Sequence, residues 1–402
     1  MNPLYAILSR FEPNNTPGVG TFYDFFNRLW ISDDDHMSPH IHPLKTKVKK
    51  PKTKGTKADS VEKVTVADLL PTLEKTDFKL DEQPYSSLFK IYQKEFLEIS
   101  VSTGLIHADA LALAGDGTPV VTSHRERKKR ICKCKENGIH DCNCDRYFSQ
   151  PDCDIGWDSS RDCYYHGYDL YMLVDSQSDL PVFPHFSCAS KHDSHGFLHA
   201  FFRMKSFLPE YSVSKVLLDS AHDAMPYYQY FKRENITPFI DLNGKGGRPP
   251  VYKNDFTIDK DGVPICPSGY RMRRDGIEVA KGRMKFKCPK ISHADGCISC
   301  RCKKPCSNAK YGRTVHLVLK DNPRLFNNLP RSSKEWKLEY NARASAEHSN
   351  KREKLDFKPE ASGHRSTKMW YCRLYHILML QHLDAWDLPP ESPLKKLILN
   401  AA

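Results

Sequence analysis

Apolar and polar positions follow two different spacings along this chain, and the change of spacing marks the predicted elements. Residues 61–104 carry apolar positions three and four apart, which predicts helices. Residues 105–114 are mostly apolar and run into GDGT at 115–118, which predicts a strand that ends in a turn, with an acid at its exit. Residues 120–122 then begin the predicted returning strand.

The middle of the chain predicts an α/β sheet. Aromatic and aliphatic residues predict strands at 164–174 and 180–186, and Pro181 and Pro184 place the second at a sheet edge. We expect Asp193 to be the N-cap of a helix over 195–208. A strand at 216–218, a helix at 222–235 and a strand at 237–242 follow, and this order predicts a parallel pair with a right-handed crossover.

Six segments follow from these patterns. Residues 1–44 contain a predicted helix at 21–29, and residues 45–60 form a basic linker that either adds DNA affinity or is merely solvated. The helical residues 61–104 precede an α/β domain at 105–243, whose loop 132–144 is rich in cysteine. Residues 244–330 are a cysteine-rich insertion, and residues 331–402 complete the α/β domain with helices at 340–354 and 367–386.

The charge of the chain indicates a polyanionic partner. The 402 residues carry a formal net charge of +12, although many basic proteins bind no nucleic acid. No run approaches the roughly 18 apolar residues of a transmembrane helix, and the first ten residues do not resemble a signal peptide. We therefore expect a cytoplasmic protein, without a membrane partner, whose thiols are reduced.

The fourteen cysteines are clustered in a way that favours metal over disulfides. One cluster has the spacing CxC-x7-CxC and suits a tetrahedral zinc site: Cys132, Cys134, Cys142 and Cys144. The insertion contains six cysteines, and four are the expected ligands of a second zinc: Cys266, Cys288, Cys297 and Cys300. Because both segments are polar, we expect that neither buries a core of its own and that the metal is structural. Unliganded thiols are the alternative.

Two aspartates follow predicted strands, where α/β proteins place their sites. These are Asp116 and Asp219, and the glycine after Asp116 permits a tight turn beside a metal. A role as a turn residue or helix cap is the alternative for each. Asp109, Asp223 and Asp241 are the other candidates if the strands are displaced.

The predicted helix at 340–354 places four functional side chains on one narrow face at about 100° per residue. They are Tyr340, Arg343, Glu347 and Lys354, and Lys351 lies beside them. A carboxylate framed by cations and a phenol suits metal binding next to a phosphodiester. The alternative is an exposed helix face with favourable Glu/Lys spacing.

The spacing Y-x2-R-x3-E-x6-K resembles the signature of a large group of bacterial insertion-sequence transposases with a DDE catalytic domain. The resemblance extends to GTFYDF, GDGT, GWDS…GYDLY and LLDSAHD, and it covers most of residues 17–386. It implies an RNase H-like fold, a mixed sheet flanked by helices, here with a cysteine-rich insertion and an N-terminal helical segment.

The resemblance also implies an activity. Asp116, Asp219 and Glu347 would hold Mg²⁺ or Mn²⁺ for phosphoryl transfer. DNA contacts would come from the basic and phenolic groups, namely Tyr340, Arg343, Lys351 and Lys354. Such an enzyme cuts double-stranded DNA at the element's terminal inverted repeats and joins the 3′-hydroxyl ends to target DNA. It would act as a homodimer or larger assembly near the bacterial nucleoid.

Two other classes of protein fit the sequence less well. One is a non-catalytic or truncated DNA-binding protein derived from such a transposase, because relatives commonly carry a longer N-terminal helical DNA-binding region. The other is a zinc-dependent scaffold in which the carboxylates are incidental. Three acids in the order Asp, Asp, insertion, Glu argue for the enzyme.

Overall fold

A computed structural model describes most of the chain. The described residues are 18, 20–21, 24, 41–42, 64–80, 86–122, 129–130, 132–140, 142, 146–147, 153–243, 251–252, 256–259, 261–292, 299–300, 302, 306–309, 311–319, 323–324, 329–362 and 367–386. The helix predicted at 21–29 lies almost wholly outside them.

Eight α-helices belong to this part of the chain. They are α1 (Val66–Lys75), α2 (Ser86–Tyr92), α3 (Glu98–Ser102), α4 (Asp193–Phe207), α5 (Met225–Arg233), α6 (Lys334–Asn341), α7 (Ala344–Lys351) and α8 (Thr367–Ala385). Two π-helical turns, Gln93–Leu97 and Arg352–Asp356, join or extend them. Short 3₁₀ turns occupy Ser220–His222, Val279–Lys281 and Pro359–Ser362. None of the described helices is both long enough and apolar enough to cross a bilayer.

The strands fall into two groups along the chain. Those before residue 243 are β1 (Ile41–His42), β2 (Leu111–Val121), β3 (Lys129–Arg130), β4 (Arg146–Tyr147), β5 (Asp154–Asp158), β6 (Cys163–Asp175), β7 (Pro181–Cys188), β8 (Val213–Leu218) and β9 (Thr237–Ile240). Those of the insertion are β10 (Val251–Tyr252), β11 (Phe256–Ile258), β12 (Pro264–Ile265), β13 (Arg273–Glu278), β14 (Arg283–Lys287), β15 (Ile291–Ser292), β16 (Ser299–Cys300) and β17 (Thr314–Val318).

The main sheet contains both parallel and antiparallel strands. This agrees with the predicted α/β fold class. Its order is β5-β6-β2-β8-β9, and β7 pairs with β6. β2, β8 and β9 are parallel to one another, whereas β6 is antiparallel to β2, β5 and β7. The parallel pair β8–β9, joined through α5, agrees with the strand–helix–strand prediction.

Helices cover both faces of this sheet. Gly117 of β2 lies opposite Tyr171 of β6, and Tyr171 packs against Gly196 of α4. Asp116 points to the other face, because side chains alternate along a strand, and there it meets Asn350 of α7. The sheet is therefore the middle layer between α4 and α7, and its apolar residues belong to one core cluster that includes Phe197, Leu113 and Leu217.

Three local predictions were wrong. β2 does not turn at residues 115–118 but continues to Val121, because β6 pairs with it all along this stretch. The N-cap of α4 is His192, whose ring nitrogen accepts a hydrogen bond from the Ser194 amide, and Asp193 is the first helical residue. The helix predicted at 340–354 breaks at residues 342–343 and changes to a π-helical turn at Arg352.

The insertion builds a small core of its own, contrary to the prediction. Its sheets have the orders β10-β11-β12 and β13-β14-β17, and β15 pairs with β16. Their inward side chains bury a separate hydrophobic cluster that includes Phe256, Phe286 and Leu317. The polar composition concealed this because strands bury only alternate residues, as β14 shows with Met284 and Phe286 buried between half-buried cations.

Candidate active site

Asp116 and Asp219 lie on neighbouring parallel strands. Ala114 of β2 pairs with Leu217 of β8, so Asp116 and Asp219 each stand two residues beyond the same rung of the ladder. β8 ends at Leu218, and Asp219 starts a 3₁₀ turn by accepting a hydrogen bond from the Ala221 amide. The two acids therefore meet where β8 ends and β2 continues. Asp116 lies within its strand, not at the predicted exit.

Glycines flank Asp116 for a reason other than the predicted turn. A Cβ on Gly115 would lie 2.6 Å from the hydroxyl oxygen of Tyr171, and one on Gly117 would lie 2.6 Å from an oxygen of Asp193. Side chains cross β2 closely on that face, so only glycine fits. The GDG sequence thus marks a close approach of polar groups to the strand.

A buried hydrogen-bonded chain holds Asp219. His222 is 1 % exposed, and its Nδ1 lies 2.6 Å from Oδ1 of Asp219. The other ring nitrogen of His222 lies 2.9 Å from the hydroxyl of Tyr171, which is fully buried. Burial raises the pKa of Asp219, but the hydrogen bond and charge of His222 outweigh it, so that the pKa is lowered overall. Asp219 is thereby kept ionised and fixed in orientation.

Asp116 has the opposite electrostatic surroundings. Burial, followed by the negative charge of Asp193, raises its pKa to about 6, although Arg343 acts in the other direction. The amide nitrogen of Asn350 donates a 3.1 Å hydrogen bond to Oδ2 of Asp116. A carboxyl group whose pKa lies close to neutral pH, next to an ionised carboxylate, is typical of functional sites.

Arg343 connects the helical segment to both aspartates. It occupies the break between α6 and α7, and its positive charge acts on Asp116 and on Asp219. The same guanidinium forms an ion pair with Glu347, whose side chain is 54 % exposed. Asn350, which binds Asp116, lies one helical turn beyond Glu347. The third predicted acid is thus on the helix that covers the two aspartates.

The four-residue face predicted for the helix is only partly preserved. Tyr340 stacks on Trp336 with ring centroids 4.6 Å apart, and Arg343 lies 5.9 Å from the centre of the Tyr340 ring. Lys351 is exposed at the end of α7. Lys354 departs from the stripe because the π-helical turn alters the residue spacing. It is half-buried, and burial lowers its pKa while Glu360 opposes that effect.

The other candidate aspartates have structural or peripheral positions. The carboxylate of Asp223 is fully buried and accepts hydrogen bonds from Arg324, one of them 2.8 Å long, and from Tyr228. Asp109 is exposed in the turn before β2, and Asp241 is exposed after β9. Asp223 is therefore engaged in a buried ion pair that fixes a loop.

Two further acids near Asp116 were missed by the sequence reasoning. Asp169 of β6 lies within GYDLY and is 6 % exposed, and burial together with Asp193 raises its pKa to about 8. Asp193 lies on the first turn of α4, and burial raises its pKa also. The signal was present, since an aspartate inside an otherwise apolar, aromatic strand is unusual.

The first cysteine cluster could hold a metal ion such as zinc. Sulfur atoms of Cys132, Cys134 and Cys142 all lie within 4.8 Å of one another. The closest pair, Cys132 and Cys142, is 3.5 Å apart, which suits thiolates on one tetrahedral ion. Cys144, the predicted fourth ligand, lies outside the described residues.

The second cysteine cluster is described only in part. Cys266 and Cys288 are buried in the insertion. Burial raises the pKa of Cys306, and Cys266 and Cys288 add to that effect, so these three thiols are neighbours. Cys297 lies outside the described residues, and of Cys300 only the backbone in β16 is described. Among the described side chains, the tight three-ligand arrangement is formed by the first cluster alone, not by these cysteines or by the acids.

Comparison with known proteins does not identify the chain. Neither a protein-family model nor a curated protein sequence matches it. The function must therefore be argued from the site.

Proposed function

We propose that this protein is a metal-dependent DNA transposase with an RNase H-like catalytic domain. The observation that carries the proposal is that Asp116 of β2 and Asp219 at the end of β8 each stand two residues beyond the same rung of two parallel strands, and that the charge of Arg343, at the start of α7, acts on both. Asp219 lies outside the carboxyl end of a parallel strand, where α/β sheets form sites, and Asp116 lies within the neighbouring strand β2.

The donor set fits Mg²⁺ or Mn²⁺ because it consists of carboxylate oxygens. Asp116, Asp219 and Glu347 would hold the ions, which when bound polarise the scissile phosphate and lower the pKa of the attacking water. His222 keeps Asp219 oriented and ionised. Asn350 donates a hydrogen bond to the carboxyl group of Asp116, and Arg343 pairs with Glu347 while its charge also acts on both aspartates.

DNA would lie along the α6–α7 segment. Arg343 offers positive charge to Asp116 and Asp219, Lys351 is exposed at the end of α7, and Tyr340 presents a half-buried ring stacked on Trp336. Lys354 is set further back, next to Glu360. A net charge of +12 would favour association with duplex DNA independently of sequence. The substrates would be the inverted repeats of a mobile element and target DNA, engaged by a dimer or larger assembly.

The direct test is strand cleavage of a duplex that carries the element's terminal repeat, with Mg²⁺ and purified protein. We expect cleavage by the parent and none by the Asp116→Asn and Asp219→Asn variants. Asp162→Asn is the matched control, because Asp162 is exposed in a turn with a positive φ that asparagine tolerates. Binding without cleavage by the parent would favour a non-catalytic transposase-derived protein, and cleavage by Asp219→Asn would exclude the proposed mechanism.

A further inference from the structure

Asp169 and Asp193 face each other on the side of the sheet opposite to Asp116. Asp169 pairs with Pro119 of β2, which places its side chain on the same face as Gly117. A Cβ on Gly117 would lie 2.6 Å from Oδ1 of Asp193 and 3.3 Å from Oδ1 of Asp169. The two carboxyl groups therefore share the space that the missing side chain of Gly117 leaves.

One oxygen of this pair lacks a partner in the folded chain. Asp169 is 6 % exposed, and its Oδ2 is fully buried without a hydrogen-bond partner among the described residues. The charges that act on it are mostly unfavourable, since Asp193 and Asp116 repel it, and among the described residues Lys354 acts in the opposite direction. His222 and His192 act on Asp193. A buried carboxylate with so little compensation is costly unless a cation or a proton joins it.

We propose that Asp169 and Asp193 form a divalent-cation site above Gly117, separate from the Asp116–Asp219–Glu347 set. Two carboxylates suit Mg²⁺ or Mn²⁺, since such ions are held by one or two carboxylates and keep several waters. Asp193 lies on the first turn of the 15-residue helix α4 and Asp169 within the long strand β6, so both ligands stand on rigid elements. The inference requires no catalytic activity and does not rest on the proposed function.

The test is the number of Mn²⁺ ions bound per chain, measured by electron paramagnetic resonance of free Mn²⁺ during titration. The variants are Asp169→Asn and Asp193→Asn, which keep the shape of the side chain and remove the charge. The matched control is Asp175→Asn: Asp175 is 2 % exposed on the same strand, but its Oδ2 accepts hydrogen bonds of 3.0 and 2.7 Å from Ser178. Asp219→Asn reports separately on the proposed catalytic set.

We expect the parent and Asp175→Asn to bind one more Mn²⁺ per chain than either Asp169→Asn or Asp193→Asn. Thermal unfolding supplies a second readout, because the expected difference in Tm between Asp169→Asn and the parent depends on whether metal is present. Without metal, Asp169→Asn should melt above the parent near neutral pH, because folding of the parent requires a proton to bind to the buried Asp169 carboxylate and folding of the variant does not. With Mn²⁺ in excess, the parent should gain more in Tm than this variant, because binding to the folded state stabilises it.

Unchanged Mn²⁺ binding in both folded variants would overturn the proposal, whatever their melting temperatures. Loss of Mn²⁺ from Asp219→Asn alone would also overturn it while leaving the proposed catalytic set intact. Loss from Asp169→Asn and Asp193→Asn, with Asp219→Asn unchanged, would support this site and count against the catalytic set. If Asp169→Asn does not fold, Asp193→Asn decides the question.

Discussion

Acidic side chains of the insertion pair with cations, whereas several acids around the main sheet lie close to one another. In the insertion, Asp275 lies 2.9 Å from the ammonium of Lys285 and 2.5 Å from that of Lys287. These contacts, the Lys287 hydrogen bond first, lower the pKa of Asp275 to about 2. Arg271 likewise lies 2.6 Å from Asp259. Each of these acids has its cation beside it, at a surface that water can reach.

In the main sheet the acids gather with each other. Asp169 is buried and Asp116 and Asp193 are half-buried, and burial raises the pKa of all three. Repulsion from Asp193 adds to this effect for Asp116 and Asp169, and repulsion from Asp219 adds to it for Asp193. Such crowding costs folding free energy, whereas the ion pairs of the insertion cost little. The comparison teaches that the insertion's acids are compensated by cations of the chain itself, while the acids around the sheet need a bound proton or cation to offset their burial.

The largest effect should follow neutralisation of the acids of the proposed catalytic set. We expect Asp116→Asn, Asp219→Asn or Glu347→Gln to lower the cleavage rate by about a thousandfold or more, roughly 4 kcal/mol of barrier. The variant Asp275→Asn, which is changed in the insertion, should cleave DNA at the parental rate. Gel assays of strand cleavage with Mg²⁺ measure both. Equal losses in the two regions would mean that the assay reports folding and not chemistry.

A smaller effect should come from the cations over the site. Arg343→Ala or Lys351→Ala should weaken binding to the element's ends, and each should lower the log–log salt slope by about 1. Arg352→Ala is the matched control, since Arg352 pairs at 2.8 Å with Asp384 of α8 and not with an acid of the proposed catalytic set. Binding isotherms at several salt concentrations give the slopes. Parental slopes for Arg343→Ala and Lys351→Ala would remove both residues from the DNA interface.

The sequence predicted which residues lie together at this site better than it predicted the geometry of the site. Strand patterns brought Asp116 and Asp219 to one region, because parallel strands place their carboxyl ends together. Nothing local reveals the Ala114–Leu217 register, which depends on how distant segments pair. The glycines of GDGT were interpreted as a turn, since sequence alone does not distinguish turn glycines from those that admit a neighbouring side chain.

The sequence failed to predict other features for similar reasons. The break at residues 342–343 contains neither Gly nor Pro, so periodicity continued through it. Asp169 within an apolar strand could as well have been a solvent-facing position, and only the tertiary fold shows that α4 covers it. Sequence therefore identified the catalytic candidates on strand ends and the helix, but not the acids that surround them.

The pH dependence of stability should differ between the regions in metal-free protein. Asp169 has a raised pKa of about 8, so the folded state binds its proton more tightly than the unfolded state does. The contribution of Asp169 to the free energy of unfolding is therefore fully present below about pH 4. It is lost as the pH rises through 8, by up to about 1.4 kcal/mol per pH unit. Asp169→Asn should flatten this decline, as chemical denaturation between pH 5 and 8 would measure.

Asp275 provides the contrast for that measurement. Its pKa is depressed, so its contribution is present at neutral pH and is lost only as the pH falls toward 2. Asp275→Asn should leave the curve between pH 5 and 8 unchanged. A parental slope in Asp169→Asn would show that this carboxyl group is not the source of the decline.

The smallest effect on stability should come from the cysteine loop. Cys132, Cys134 and Cys142 cluster outside both hydrophobic cores, so their metal would cross-link the loop without supporting either core. Elemental analysis of the parent should give about one zinc per chain from this cluster, and a second if the insertion cysteines also close a site. Cys132→Ser should lose one zinc with little change in global Tm, but with faster proteolysis within residues 129–147. Cys163→Ser, at an exposed and isolated cysteine, should retain the parental zinc content. An equal zinc content in Cys132→Ser and the parent would show that the clustered thiols do not hold the ion.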